Sequence, residues 1–122
     1  MRKLTANADP IERERITLAE AAALLPTPEG RRSVAVFEHG TLQVKLYAPR
    51  GGDPQQPHTR DEVYVIVRGT GWFVNGERRH PFAVHDVLFA KAGIPHRFED
   101  FSDGFLVWVF FYGPEGGEAD SA

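Results

Sequence analysis

The chain has 122 residues, with 14 Lys plus Arg against 17 Asp plus Glu and a net charge of −3. That length suits one domain, and the charge balance excludes a dedicated nucleic-acid surface, which needs a strongly basic face. With 42% apolar and 11% aromatic residues the chain can bury a core, so wholesale disorder is excluded too. Twelve glycines and nine prolines argue against a helical bundle and for short strands joined by turns. Cysteine is absent, so any metal would rest on histidine, carboxylate or amide groups.

In chain order, residues 1–16 are polar, mixed in charge and without period, and read as an arm. They contain no apolar stretch of the kind a secretion signal needs, and the apolar run 106–112 is far short of the ~20 residues of a membrane span. A cytoplasmic protein with no membrane partner is the expectation. Thr17 with Glu20 fits a capping box ahead of an Ala- and Leu-rich stretch, 18–25, that Pro26 ends, which predicts one short helix. From residue 32 the pattern turns to strands. Runs at 33–38 and 41–48 flank His39-Gly40, a hairpin signal, and 49–57 is a Gly-, Pro- and Gln-rich loop. Further runs occupy 63–68, 72–74, 77–80, 87–90, 97–99 and 105–112, with Asn75-Gly76 the strongest turn signal. The final segment, 113–122, reads from composition as a disordered tail. Eight short strands with regular punctuation predict an all-β sandwich or barrel.

The strand around residues 62–67 is apolar on both faces, with Glu62, Tyr64 and Ile66 on one and Val63, Val65 and Val67 on the other. Such a strand is covered twice, by the N-terminal arm or by a second subunit. Five histidines are present. His58 lies four residues before Glu62, and His96 ends the turn Gly93-Ile94-Pro95. Two imidazoles and a carboxylate suit Fe, Mn, Ni, Zn or Cu, although the long interval from His58 to His96 makes spacing alone a weak signal. Arg60 and Tyr64 share strand parity with His58 and Glu62, and so could face a ligand, with a solvated surface position at the strand entrance as the alternative for Arg60. Trp72, Phe98, Trp108 and Phe110 read as core, with pocket lining as the alternative. His39 and His80 read as exposed and His85 as structural. The pairs Arg31-Arg32 and Arg78-Arg79 read as solvated edges.

Segments 52–69 (GDPQQPHTRDEVYVIVRG) and 85–100 (HDVLFAKAGIPHRFED) together resemble the two motifs of the cupin superfamily. In the first, His58, three residues, Glu62, six residues and Gly69 keep the family's spacing, with Gln56 where another histidine belongs. In the second, Gly93 and His96 match, while His85, Lys91 and Asp100 replace the family's Gly, Pro and Asn. The resemblance implies a double-stranded β-helix, a jelly-roll barrel over about 33–112 preceded by the arm and helix of 1–30. It implies a metal held by His58, Glu62 and His96, with Gln56 as a fourth ligand or a partner of metal-bound water. It also implies a small-molecule ligand and pairing of chains through their sheets. The expected function is a metal-binding small-molecule protein, which could be a non-haem metal enzyme of dioxygenase or isomerase type with Tyr64 or Arg60 orienting substrate. The alternatives are a non-catalytic module that binds or senses a small ligand, and a barrel serving only as a dimer scaffold.

Overall fold

The computed structural model describes residues 14–120. The expected arm therefore falls mostly outside the described residues. Within them the elements are α1 (Leu18–Ala22), β1 (Ser33–His39), β2 (Leu42–Tyr47), β3 (Asp61–Arg68), β4 (Gly71–Asn75), β5 (Arg78–Phe82), β6 (Val87–Ala90), β7 (His96–Glu99) and β8 (Leu106–Tyr112). The eight strands form a five-stranded sheet, β1-β2-β8-β3-β6, and a three-stranded sheet, β5-β4-β7. All strand pairs are antiparallel.

α1 begins where its cap dictates. The Thr17 hydroxyl accepts from the Glu20 amide at 3.1 Å, and the Thr17 amide donates back to the Glu20 carboxylate at 3.3 Å, satisfying two of the orphan donors of the first turn. The helix closes at Ala22 rather than running to Leu25. Pro26 disfavours helical backbone at the residue before it, and the last amides, Leu24 and Leu25, bond back three residues to Ala21 and Ala22.

Several strand bounds differ from the sequence expectation for local reasons. β3 starts two residues early, at Asp61, because the charged pair Asp61 and Glu62 hides its strand character; both are buried, at 3% and 2% exposure. β4 starts at Gly71, where a side chain would meet Phe82 at 2.8 Å and the Phe101 backbone at 2.9 Å. β5 carries Pro81 internally, which its edge position permits, since it pairs only with β4.

Two apolar clusters hold the fold. Between the sheets, Tyr64, Ile66, Phe73, Phe82, Phe98 and Phe105 pack with the inward valines of β8. On the outer side of the five-stranded sheet, Val34, Val36, Val44, Leu46 and Leu106 pack under Ala21 of α1. The second cover of this sheet is thus α1, but only over the β1-β2-β8 end. Phe98 belongs to the inner core, whereas Trp108 and Phe110 pack with the outer cluster. Trp72 lies 4.1 Å beneath the Arg79 guanidinium.

Residues 113–120 do not form the disordered tail that their composition suggests. The Glu118 amide donates to Asp61 at 2.9 Å, the Gly116 amide to the Thr59 carbonyl at 2.6 Å, and Lys91 pairs with Asp120 at 2.8 Å. Gly117 has φ +89, and a side chain there would lie 2.9 Å from both Ala92 Cβ and Asp61 Oδ1. Its glycine permits close docking, the opposite of looseness.

Candidate metal centre

The inner face of β3 presents Glu62, Tyr64 and Ile66 in alternation, so the interior changes along one strand from carboxylate to phenol to alkyl. β7 opens with His96 at the same end of the barrel. The turn before it is pinned to the His58 segment: the Gly93 amide donates to the His58 carbonyl at 2.7 Å, and the Ala92 amide donates to Asp61 at 2.9 Å. The two amides on Asp61 hold its carboxyl below the usual range, against a smaller opposing effect of burial. One carboxylate therefore ties together β3, the turn that aims His96, and the C-terminal segment.

His58, Glu62 and His96 converge, with potential ligand atoms all within 4.8 Å of one another. His96 Nε2 lies 2.8 Å from Glu62 Oε1, and His58 Nε2 lies 3.9 Å from the same oxygen. His96 Nδ1 lies 2.8 Å from the Ile94 carbonyl. It donates there, since a carbonyl cannot, which leaves the Nε2 lone pair facing Glu62 when the ring is neutral. Both atoms are buried; with the ring neutral neither has a hydrogen-bond partner, and with the ring protonated Nε2 donates to Glu62. Two lone-pair donors about 3 Å apart are what adjacent positions on a metal with ~2.1 Å bonds require. The residues fit a divalent ion.

The surroundings shift each group consistently. Burial, opposed by Glu62 and assisted by His96, lowers the His58 pKa and keeps that ring neutral. Burial also acts to lower the His96 pKa, but the Glu62 carboxylate and the Ile94 carbonyl outweigh it and the net shift is upward. Burial and Glu62 push the Tyr64 phenol well above its ordinary range, so it stays protonated.

The remaining sequence candidates divide. Tyr64 lines the cavity beside Glu62. Arg60 does not: its guanidinium donates to the Thr41 carbonyl and lies 5.7 Å from the Phe111 ring centroid. The parity argument fails for it because β3 begins only at Asp61 and residues 59–60 bend. Gln56 is exposed, and the neighbouring Gln55 takes the place expected of it. Gln55 Oε1 accepts from Tyr64 at 3.2 Å and lies 3.2 Å from His58 Nε2, while its amide donates to Asp53. Asp53 in turn accepts from Tyr47 and from the Phe98 amide. His39, His80 and His85 are exposed; His85 has φ +76, in keeping with a position where the family has glycine. Arg79 is not simply solvated, as it pairs with Asp100 at 2.8 Å.

Lys45, Tyr47, Gln55, His58, Glu62 and Tyr64 border a cavity of about 130 Å³. A larger groove of about 1090 Å³ lies between α1, residues 48–53 and residues 98–106, with no histidine in its lining. Size and chemistry part company here, and the convergent ligand atoms single out the smaller space. Among the described residues no helix is long and apolar enough to cross a membrane.

A family model for the cupin domain matches residues 43–112. An uncharacterized protein of Streptomyces coelicolor is 37% identical over 76 residues, 61% of this chain and 72% of its own length. Among solved structures, TT1209 from Thermus thermophilus superposes with a TM-score of 0.65 at 28% identity, covering 84% of this chain and 100% of that one. The DMSP lyase DddQ from Ruegeria pomeroyi superposes with a TM-score of 0.60 at 21% identity, covering 81% of this chain and 55% of that one. A profile match over more than half the chain, on an antiparallel barrel whose strands bring two separated motifs to one site, places this protein in the cupin domain family.

Proposed function

We propose that the chain holds one divalent transition metal through His58, Glu62 and His96 and acts there on a small molecule, as an enzyme of dioxygenase or isomerase type. The observation that carries this is the convergence of His58, Glu62 and His96, whose potential ligand atoms all lie within 4.8 Å of one another, with Glu62 Oε1 2.8 Å from the buried His96 Nε2. With the His96 ring neutral this oxygen and nitrogen face each other with no proton between them, an arrangement that either a proton or a metal ion satisfies. A bound divalent ion supplies Lewis-acid polarisation or a position for dioxygen. Three protein ligands leave further coordination positions open.

The chain's own residues prepare that space. The Ile94 carbonyl fixes the His96 tautomer, and burial keeps His58 neutral. Tyr64 stays protonated at neutral pH, so its hydroxyl, turned from Gln55, donates to a ligand oxygen rather than removing a proton. The lyase among the structural neighbours shares this fold at 21% identity, and one fold hosts many functions.

The unit that does this is a homodimer. The outer face of β8-β3-β6 holds two cross-strand apolar rows, Phe110–Val63–Phe89 and Trp108–Val65–Val87, with Val87 66% and Phe89 48% exposed on the edge strand. Among the described residues α1 covers the other end of the sheet and Val87 and Phe89 stay exposed, which offers this edge to a second copy. Light scattering of wild type and Phe89→Lys tests it: a dimer that the substitution splits is expected, and a wild-type monomer at micromolar concentration contradicts it.

Elemental analysis of protein purified without a metal-affinity tag, beside Glu62→Ala, tests the metal. About one ion per chain, lost in the variant, is the expected result; no metal in the wild type overturns the proposal. Turnover on phenols, keto acids or sugars supports the enzyme, and bound metal without turnover on any of them identifies a binding module instead.

A further inference from the structure

We infer that Lys45 is an anion anchor and that the ligand of this cavity is a small carboxylate, held between the metal position and the Lys45 ammonium. The inference rests on the metal reading above and names the substrate class for the same site.

β2 sends Val44 and Leu46 outward beneath α1 and turns Lys45 and Tyr47 inward. Lys45 is half-buried in the cavity wall with His58, Glu62 and Tyr64. Among the described residues no hydrogen bond or ion pair reaches its ammonium. Lysine is rarely withdrawn from water without a partner, because a lone buried cation is costly. Burial disfavours the charged amine here, and the Glu62 carboxylate partly opposes that. The other charges felt at Lys45, Arg31 and Glu38, have opposite signs and offset each other.

The charge of the loaded site points the same way. Glu62 is engaged by the metal, and Asp53 by Tyr47, Gln55 and the Phe98 amide. With a divalent ion present, the positive charges of ion and Lys45 exceed those two carboxylates by one unit. A monocarboxylate neutralises the remainder. The cavity of about 130 Å³ is small beside the ~300–1,000 Å³ of pockets for drug-sized ligands, which suits a ligand of a few heavy atoms.

The test uses acetate, glycolate and pyruvate with their neutral amides as probes, titrated calorimetrically into zinc-loaded and metal-free full-length protein. Zinc-loaded wild type is expected to prefer at least one acid over its amide by about tenfold or more, the size of a charge-assisted hydrogen bond. Lys45→Met should cut that preference by about tenfold with zinc content unchanged, leaving only the part the zinc itself supplies, and Lys45→Arg should retain it in full. Thermal unfolding of both variants establishes that they fold. If Lys45→Met keeps both its zinc and the full preference, or if zinc-loaded wild type binds none of the three acids, the anchor is wrong while the metal reading stands. If wild type takes up no zinc, the metal reading fails; the anchor then survives only if metal-free protein still discriminates acid from amide through Lys45.

Discussion

Glu62→Gln separates a site built for metal from a polar core built for stability. In metal-free protein above the raised His96 pKa, where the ring is neutral, the Glu62 carboxylate faces the His96 lone pair at 2.8 Å with no hydrogen bond on either atom. An unsatisfied buried polar group costs roughly 1–3 kcal/mol. The introduced side-chain amide removes the charge and donates to the lone pair, so the variant should be the more stable protein. For a chain of this length, that corresponds to a rise of roughly 4–12 °C in Tm. Lowering the pH should shrink the gap. His96 has a raised pKa in the folded state, so its protonated form contributes stability that is fully present below about pH 6.5 and lost as pH rises through the folded value. Metal reverses the order at high pH. An ion at a thousand times its Kd adds about 4.1 kcal/mol to wild type and little to Glu62→Gln, which lacks the carboxylate ligand. Differential scanning calorimetry with and without metal reads all three effects. A variant less stable than wild type by the same margin with and without metal would refute the reasoning, since Glu62 would then be a structural partner of His96 and nothing more.

Three further outcomes follow from the packing around the site. Asp61→Asn should weaken the docking of both the 91–95 turn and the C-terminal segment, lowering metal affinity although Asp61 is not among the ligands. Because the Asp61 pKa is depressed, its contribution is present above the ordinary carboxylate range and lost as pH falls through the folded value, so the acid limb of a Tm-against-pH curve should flatten in the variant. Gly117→Ala should cost clearly more stability by urea unfolding than Gly116→Ala: both have positive φ, for which an L-residue costs roughly 1–2 kcal/mol, but only the methyl added at Gly117 would collide with Asp61 and Ala92. Gln55→His should tighten metal binding by adding an imidazole beside His58 and Glu62, whereas Gln56→His, on the exposed neighbour, should leave the affinity unchanged in a competition titration with a chromophoric chelator.

The strand count was legible in turn residues at regular intervals, whereas the three converging side chains were legible only through the resemblance of two separated motifs to the cupin pattern, since spacing alone is a weak signal across the interval from His58 to His96. What was not legible depends on which side of a sheet is inside. In β2 the apolar residues Val44 and Leu46 look like the core face, yet they lie under α1, and the polar alternates Lys45 and Tyr47 line the interior. Strict alternation in 41–48 was visible; the fact that α1 covers the apolar side was not. Extending strand parity back from Glu62 placed Arg60 in the cavity, but the bend at 59–60 breaks the period, and His58 reaches Glu62 from the loop. The same irregular backbone shifts the amide partner from Gln56 to Gln55. In the C-terminal segment, glycines read as flexibility are required by close contact with Asp61, a long-range partner that composition does not reveal.

Cobalt(II) titration of metal-free protein, followed by visible ligand-field absorption, tests most directly whether His58, Glu62 and His96 together hold one ion. Wild type, His39→Ala and His80→Ala should saturate at one cobalt per chain with the same spectrum, and alanine at His58, Glu62 or His96 should abolish or sharply weaken it. An unchanged spectrum and stoichiometry in those three variants, or no cobalt spectrum in the wild type, would contradict the assignment.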